Sequence, residues 1–168
     1  MAIRKQREIA LEKGRIGLIS DTHGLVRREA LAALKGVELI VHAGDIGKSE
    51  VLDALQTIAP VAAIKGNNDT APWARHIPEI LDLNIKNTTR HTTLRIIHNV
   101  HDIKTDLGSA GIHVVISGHS HKPLVVTRGG VLFVNPGSAG PRRFKLPVTV
   151  GLLRLKRAGA EAEIVPLL

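Results

Sequence analysis

The feature of this sequence that most restricts its fold is a regular alternation of apolar runs and helical patterns between residues 15 and 66. The apolar runs RIGLIS, VELIVHAG and VAAIKG have the length and composition of buried strands. The segments between them, LVRREALAALK and SEVLDALQTIA, place apolar residues at helical spacing, and Ser49 is the expected N-cap of the second helix. A β-α-β-α-β order predicts a parallel sheet with right-handed crossover helices.

After Pro72 the pattern changes to one that is typical of antiparallel strand pairs. LDLNI and TTLRIIH are predicted strands joined by the polar turn KNTTRH, and HVVISG is a strand that follows the short helix-like segment TDLGSAG. PLVVTRGGVLFVN is a predicted hairpin in which Gly129 and Gly130 supply the positive φ of the turn. VTVGLLRLKR and AEIVPL form a last strand pair. We therefore predict an α/β fold with a parallel N-terminal half and a mostly antiparallel C-terminal half.

The length of 168 residues predicts a single domain, which we place at residues 15–168. Residues 1–14 are charged, weakly helical and outside the pattern, so we expect this extension to be dispensable. No apolar run approaches the roughly 20 residues of a membrane helix, and the first residues lack the apolar segment of a secretory signal. We expect a cytoplasmic protein without a membrane partner. The absence of cysteine restricts any metal site to nitrogen and oxygen ligands.

The net charge of +8 is unevenly distributed along the chain. The segment from Leu107 to Ala160 contains eight lysine and arginine residues and no aspartate or glutamate. Such a segment is either a solvated basic surface or the contact area for an anionic partner, which would be a small phosphorylated molecule or a nucleic acid. With two phenylalanines, one tryptophan and no tyrosine, the chain has few aromatic residues to stack on bases. A single-stranded nucleic acid is therefore the less favoured partner.

Polar side chains able to bind a metal follow each of five consecutive predicted strands. Open α/β folds place their ligand sites at the carboxyl ends of strands. The motifs, in chain order, are SDTHG with Asp21 and His23, HAGDIG with Asp45, KGNND with Asn67, RIIHN with His98, and GHSH with His119 and His121. Each motif alone has an ordinary explanation as a turn, a helix cap or a core histidine. Five such motifs in succession are improbable as independent turns, and they favour one shared site.

This assembly resembles the calcineurin-like metallophosphoesterase family, in particular its small cytoplasmic phosphodiesterase branch, over roughly Arg15 to Phe144. It is also similar to the retromer subunit of that family, which has lost part of the ligand set and acts as an interaction module. The resemblance implies a four-layer α/β/β/α sandwich with a site for two metals. It implies that Asp21, His23 and His121 bind one metal, that Asn67, His98 and His119 bind the other, and that Asp45 bridges both.

Mixed histidine, carboxylate and amide ligands suit Mn²⁺, Fe²⁺, Ni²⁺ or Zn²⁺ better than Mg²⁺. From the resemblance we favour Mn²⁺. Two divalent ions about 3.5–4 Å apart lower the pKa of a shared water and neutralise phosphoryl oxygens, which is the chemistry that hydrolysis of a phosphate ester requires. On this reading Asp45, Asn67 and His98 are the catalytic residues, acting together with the metals and that water.

Two positions depart from the wider family or leave alternatives open. Phosphatases of the family have a histidine after the Gly-Asn ligand, where it protonates the leaving group, whereas this chain has Asn68, as expected for the small bacterial branch. The general acid is therefore unassigned, and His101 is a weak candidate. The segment NPGSAGPRRF is either a glycine-rich turn or a loop whose backbone N–H groups and arginines hold a phosphate. We consider Asn68, Arg142 and Arg143 as candidate substrate-binding residues.

These observations predict a binuclear metal-dependent phosphodiesterase with a small phosphoester substrate. Two alternatives remain at this point: a binding or scaffold protein on the same fold, and a nuclease acting on RNA or DNA ends. We also expect a homo-oligomer, because relatives of this size often pair.

Overall fold

The structure is a computed structural model that describes residues 2–88 and 90–168. Within this part of the chain there are eleven strands. They are, in chain order, β1 (Arg4–Ala10), β2 (Arg15–Ile19), β3 (Leu39–His42), β4 (Val61–Ala63), β5 (Ile80–Asn87), β6 (Arg90–Ile97), β7 (Val114–Ile116), β8 (Leu124–Arg128), β9 (Val131–Asn135), β10 (Thr149–Lys156) and β11 (Gly159–Pro166). Two α-helices, α1 (Arg28–Ala33) and α2 (Ser49–Gln56), and two 3₁₀ turns, Pro72–Ala74 and Val100–Asp102, complete the described secondary structure.

The strands form two sheets that pack face to face. The five-stranded sheet has the order β11-β10-β2-β3-β4, and the six-stranded sheet has the order β1-β5-β6-β7-β9-β8. Strands β2, β3 and β4 are parallel, as the β-α-β-α-β pattern predicts. In the second half, the pairs β5/β6, β8/β9 and β10/β11 are antiparallel, whereas β7 runs parallel to both of its neighbours. The predicted α/β fold, with a parallel N-terminal half and a mostly antiparallel C-terminal half, is confirmed.

Apolar side chains from both sheets form the central core. Leu18 and Val41 of the five-stranded sheet pack with Leu83, Leu94 and Val114 of the six-stranded sheet. A second cluster joins α1 and α2 to the outer face of the five-stranded sheet, and a third covers the outer face of the six-stranded sheet beside the 3₁₀ turn Val100–Asp102. Neither α1 nor α2, the two described α-helices, has the length and apolar character needed to cross a membrane.

One local prediction is confirmed and two are wrong. Gly129 and Gly130 have φ values of 56° and 78° at the β8–β9 turn, as predicted. The expected N-cap role of Ser49 is wrong, because α2 is capped by Lys48 without a side-chain bond and the Ser49 hydroxyl faces Glu50. The helix-like segment TDLGSAG is a turn that ends at Gly111 with φ 72°. The predicted turn KNTTRH contains Thr89, which lies outside the described residues.

The description of residues 1–14 as weakly helical is also wrong. Arg4–Ala10 forms strand β1, which pairs in parallel with β5 along its whole length. Its side chains are exposed apart from Ile9, so no apolar alternation marks it in the sequence. Charged side chains on an edge strand discourage pairing with other molecules, which explains the polar composition of this strand.

We therefore expect a chain that begins at Leu11 to be less stable than the full chain. The deletion removes the β1–β5 hydrogen bonds, the packing of Ile9 and the contact of Arg4 with Asp82. Together these should lower the free energy of unfolding by about 1–3 kcal/mol, measured by urea denaturation. Equal unfolding midpoints for the two chains would restore the prediction that this segment is dispensable.

Candidate metal centre

The predicted ligands lie on five loops that follow strands of both sheets. Asp21 and His23 follow β2, Asp45 follows β3, Asn67 follows β4, His98 follows β6, and His119 and His121 follow β7. The loops meet because the carboxyl ends of these strands lie at one edge of the two packed sheets. Two close groups result, Asp21 with His23 and His121, and Asp21 with Asp45 and His98, and within each group the candidate ligand atoms lie within 4.8 Å of one another.

Asp21 is common to both groups and is fully buried. Its Oδ2 accepts hydrogen bonds from the Ser20 hydroxyl at 2.6 Å and from the backbone N–H of His119 at 3.1 Å. Its Oδ1 has no hydrogen bond and lies 3.3 Å from Nε2 of His121. One carboxylate oxygen is thus held by the protein while the other faces the site.

Asp45 lies between His23 and His98. Its Oδ2 is 3.8 Å from Nε2 of His23 and 3.4 Å from Nε2 of His98. Burial would raise the pKa of Asp45, but the close contact with His98 and the hydrogen bond from the backbone N–H of Asn68 outweigh burial and lower the pKa to about 2. The carboxylate is therefore ionised at neutral pH, as a metal ligand must be.

The ring of His98 is oriented by the backbone. Its Nδ1 lies 2.7 Å from the carbonyl oxygen of Ala43, and because a carbonyl only accepts, Nδ1 carries the proton. Nε2 then presents a lone pair to the site, which is the arrangement found in metal-bound histidines. Burial alone would lower the pKa of His98, but Asp45, the carbonyl of Ala43 and Asp21 outweigh burial and raise the pKa.

Asn67 and His119 lie on a more open side of the site. Both are exposed, and with His98 they line a cavity of about 520 Å³. The rings of His98 and His119 meet edge to face, with centroids 5.2 Å apart. The structure thus places His119 beside His98, although His119 belongs to neither of the two close groups.

The backbone at these loops is strained. Asp21, His23, Asp45, His119 and His121 all have positive φ, between 46° and 70°. Only one other non-glycine residue in the described ranges, Phe144, has a positive φ. Left-handed backbone costs a non-glycine residue about 1–2 kcal/mol and is concentrated at functional sites. The fold therefore tolerates strain at the residues whose side chains must point into this site.

Buried polar atoms without partners show that the side chains fit a metal. Four such atoms belong to the predicted ligands: Asp21 Oδ1, His23 Nε2, His98 Nε2 and His121 Nδ1. An unpaired buried polar atom is costly unless a ligand or water satisfies it. Carboxylate oxygens and imidazole nitrogens that lie this close together are suitable ligands for divalent transition metals.

The sequence did not reveal the part that Asp69 plays. Its carboxylate accepts hydrogen bonds from the backbone N–H groups of Ile46, Gly47 and Gly66 at 2.9–3.0 Å, so it ties the loop of Asp45 to the loop of Asn67. The only available signal was its position in KGNND, where it reads as one more candidate ligand.

His42 is a second missed residue, buried at the end of β3. Its Nδ1 accepts from the N–H of Gly44, so its Nε2 donates to the hydroxyl of Thr22, which in turn donates to the carbonyl of Ile46. Burial, followed by the charge of His98, lowers the pKa of His42 to about 3, so the ring stays neutral. This chain of bonds fixes the loop between Asp21 and His23.

The NPGS segment supports the ligand loops. Asn135 donates from Nδ2 to the carbonyl of Gly118, and the hydroxyl of Ser138 donates to the carbonyl of Asp21. The N–H groups of Gly137 and Gly140 are bonded to the Asn135 and Ser138 side chains. These two N–H groups are therefore not free to hold a phosphate, and phosphate binding by the rest of NPGSAGPRRF, with Arg142 or Arg143, stays a prediction.

The remaining candidates lie at the rim. Arg142 and Arg143 are exposed. Burial lowers the pKa of His121, and the charge of Arg143 adds to that effect against the opposing charge of Asp21. Asn68 donates from its amide nitrogen to Asp45 Oδ2 at 3.0 Å. His101 is exposed on the 3₁₀ turn after β6, and its role as the general acid stays a prediction.

Gly118 provides a direct test of how tightly the ligand loops pack. A Cβ at this position would overlap the Ser20 hydroxyl and lie 2.6 Å from Asp21 Oδ2, and the backbone of Gly118 needs no positive φ. We expect Gly118→Ala to weaken Mn²⁺ binding about 10–100-fold, as for the loss of a residue that orients a ligand. Calorimetric titration measures this change. Gly108→Ala, where the nearest atom is 3.5 Å from the new Cβ, is the matched control and should bind Mn²⁺ like the parent.

Known proteins resemble this chain in sequence and in fold. The family model described as calcineurin-like phosphoesterase superfamily domain matches residues 15–158. A probable metallophosphoesterase of Methanocaldococcus jannaschii is 34% identical over 138 residues, which cover 73% of this chain and 67% of the relative. A phosphodiesterase of the same organism is 29% identical over 153 residues, covering 83% and 92%.

One solved structure of similar fold is wild-type Vps29 of Entamoeba histolytica complexed with Zn²⁺. It has a TM-score of 0.68 and 21% identity, over 92% of this chain and 99% of that chain. This structural similarity shows a shared fold, whereas the family model and the sequence relatives show which family the chain belongs to. The chain belongs to the calcineurin-like phosphoesterase superfamily.

Proposed function

We propose that this protein is a phosphodiesterase that uses two divalent metals. The observation that carries the proposal is the convergence of two overlapping ligand groups, each with its ligand atoms within 4.8 Å. The first group, Asp21 with His23 and His121, would hold one metal. The second group contributes His98 to the other metal, which Asn67 and His119, on the same cavity as His98, would complete. The name of the phosphodiesterase from Methanocaldococcus jannaschii supports a diester rather than a monoester substrate.

The position of Asp45 supports a site for two metals. Its Oδ2 is within 4 Å of one histidine from each proposed set, 3.8 Å from His23 and 3.4 Å from His98. Two dications at short distance repel each other, and a shared carboxylate offsets that repulsion. Asn68 donates to both oxygens of Asp45 from its backbone and its side chain, so it positions the carboxylate.

When bound, the metals would supply charge neutralisation at phosphorus and a shared water of lowered pKa. The protein's own residues contribute orientation and charge. Asp45 remains ionised because its pKa is about 2, and Ala43 fixes the ring of His98 with Nε2 towards the site. The donor set without sulfur suits Mn²⁺, Ni²⁺, Zn²⁺ or Fe²⁺, and Mn²⁺ remains our choice.

Substrate contacts beyond the metals are assigned to the rim. Arg142 and Arg143 would face phosphoryl oxygens, with Arg143 supported by its effect on the pKa of His121. The side chain of Asn68 donates a hydrogen bond to Asp45, so it would contact a substrate while keeping that hydrogen bond. No general acid is assigned, and His101 is exposed and does not line the cavity. Because a leaving group that receives no proton must depart as a stable anion, we expect the enzyme to prefer esters with good leaving groups.

The experiment that tests this proposal is a phosphoester panel. Protein stripped with a chelator is assayed on bis(4-nitrophenyl) phosphate and 4-nitrophenyl phosphate with Mn²⁺, Ni²⁺, Zn²⁺ or Mg²⁺. We expect turnover of the diester above that of the monoester, and the highest rate with Mn²⁺. Metal binding without turnover of either ester would instead favour a scaffold protein on this fold.

Two further expectations are tested alongside the panel. Nuclease action, suggested by the basic segment from Leu107 to Ala160, would make substrate binding fall steeply with salt concentration. A small phosphoester substrate would give a weak salt dependence. Sedimentation measurements test the predicted homo-oligomer, and cell fractionation tests the predicted cytoplasmic location.

A further inference from the structure

A cavity of about 520 Å³ extends from the proposed metal ligands towards the N-terminal strand. One end is lined by Asn67, His98 and His119, and the other by residues of β1, of the start of β5 and of the segment after β6. Its volume is within the range of small-molecule sites, roughly 300–1,000 Å³. The cavity is thus larger than one phosphoryl group requires, and the part beyond the metal ligands has no assigned occupant.

Four cationic side chains line this cavity: Arg4, Lys65, Arg95 and Lys104. Two carboxylates, Glu79 and Asp102, line it as well. The ion pair between Lys65 Nζ and Glu79 Oε1 is long, at 3.9 Å. Lys104 is exposed on the segment after β6. We call this group of four cations the basic wall.

The two arginines of the basic wall share a single carboxylate. Arg95 donates from Nε and Nη2 to both oxygens of buried Asp82, at 2.8 and 2.9 Å, and Arg4 donates to the same Oδ2 at 2.6 Å. One carboxylate neutralises one guanidinium, so this pair keeps an excess positive charge next to the cavity. Arg4 is nearly half exposed, so part of its guanidinium is open to a ligand while Asp82 holds it in place.

We infer that the basic wall binds a second phosphate group of the substrate. The preferred substrate is then a small phosphodiester that carries a further phosphate on one arm. The inference rests on the proposed function, because the metal ligands at one end of the cavity set where the scissile diester lies. Strand β1 lies outside the matched family region, residues 15–158, so Arg4 is a contribution of this chain's own N-terminal segment.

A matched substrate pair tests the inference. Thymidine 5′-(4-nitrophenyl phosphate) and the same compound with a 3′-phosphate release the same leaving group and differ only in the distal phosphate. We expect kcat/KM to be about tenfold or more higher for the 3′-phosphorylated compound, which corresponds to one or two charge-assisted hydrogen bonds. This ratio should fall towards one in Lys104→Ala and in Arg4→Gln. Lys35→Ala removes an exposed cation that does not line the cavity and should keep the parent ratio.

A binding measurement separates this inference from the proposed function. By calorimetry, thymidine 3′,5′-bisphosphate should bind the full chain more tightly than thymidine 5′-phosphate, and Lys104→Ala should remove the difference. If neither ester is hydrolysed with any metal, the proposed function fails and the binding comparison still decides the role of the basic wall. A ratio near one in the parent, or an unchanged ratio in both variants, would overturn the inference. Affinity that keeps rising with oligonucleotide length would overturn the assignment to a small molecule.

Discussion

Asp45→Asn should abolish nearly all phosphodiesterase activity and reduce metal content towards one ion per chain or fewer. The substitution keeps the size of the side chain but removes the charge that lies between His23 and His98. Loss of several kcal/mol of metal-based transition-state stabilisation corresponds to roughly a hundredfold or greater decrease in kcat. Elemental analysis and the aryl diester assay measure the two effects on the same sample.

Two comparisons make this result specific to the shared carboxylate. Asp53→Asn removes an exposed carboxylate on α2 and should leave rate and metal content at parent values. Asn67→Ala should weaken only its own metal and retain more of the other. Parent activity with two bound metals in Asp45→Asn would exclude the bridging assignment.

Asp82→Asn should strongly destabilise the fold. The side chain is 2% exposed and accepts hydrogen bonds from Arg4 and Arg95. Removing its charge leaves the buried guanidinium of Arg95 without its counter-ion, which costs about 3–5 kcal/mol in comparable pairs. Urea denaturation measures the loss. Glu163→Gln breaks the exposed pair with Arg154 and should cost less than about 1 kcal/mol, so equal losses in the two variants would contradict the role assigned to Asp82.

The same carboxylate should make the parent protein sensitive to acid. Burial would raise the pKa of Asp82, but the hydrogen bonds and charges of Arg95 and Arg4 outweigh burial and lower the pKa. A lowered pKa in the folded state means that this stabilisation is complete above the ordinary aspartate pKa of about 3.9 and is lost as the pH falls through the folded value. The parent should therefore lose stability in this acid range more steeply than Asp82→Asn, as followed by thermal unfolding between neutral pH and acid.

The sequence predicted the strands whose side chains alternate or form apolar runs. Strands β2, β3 and β4 were predictable from such runs, and the β8–β9 turn from two consecutive glycines. Strand β1 was not predictable, because its mostly exposed side chains leave no apolar pattern in the sequence. Its strand conformation is stabilised by backbone hydrogen bonds to β5. The helix-like segment TDLGSAG makes a turn that ends at Gly111, as expected from its two glycines and its Thr, Asp and Ser residues, which are weak helix formers.

For the metal centre, the position of each residue at the end of a predicted strand indicated which residues lie together. It did not indicate which contacts orient their side chains. Asp21 and Asp45 were predictable as strand-end carboxylates, because the ends of parallel strands share one edge. The free oxygen of Asp21 depends on contacts from Ser20 and His119, which are 1 and 98 residues away in the chain. The positive φ of both carboxylate residues is imposed by tertiary contacts, and no local pattern in the sequence specifies it.

The most direct test of the central claim is a metal titration in which binding and turnover are recorded together. Chelator-stripped protein is titrated with Mn²⁺ in a calorimeter, and samples at each ratio are assayed on bis(4-nitrophenyl) phosphate. We predict binding of two equivalents per chain, with activity that appears as the second equivalent binds. Full activity at one equivalent, or activity in stripped protein without added metal, would contradict a two-metal phosphodiesterase.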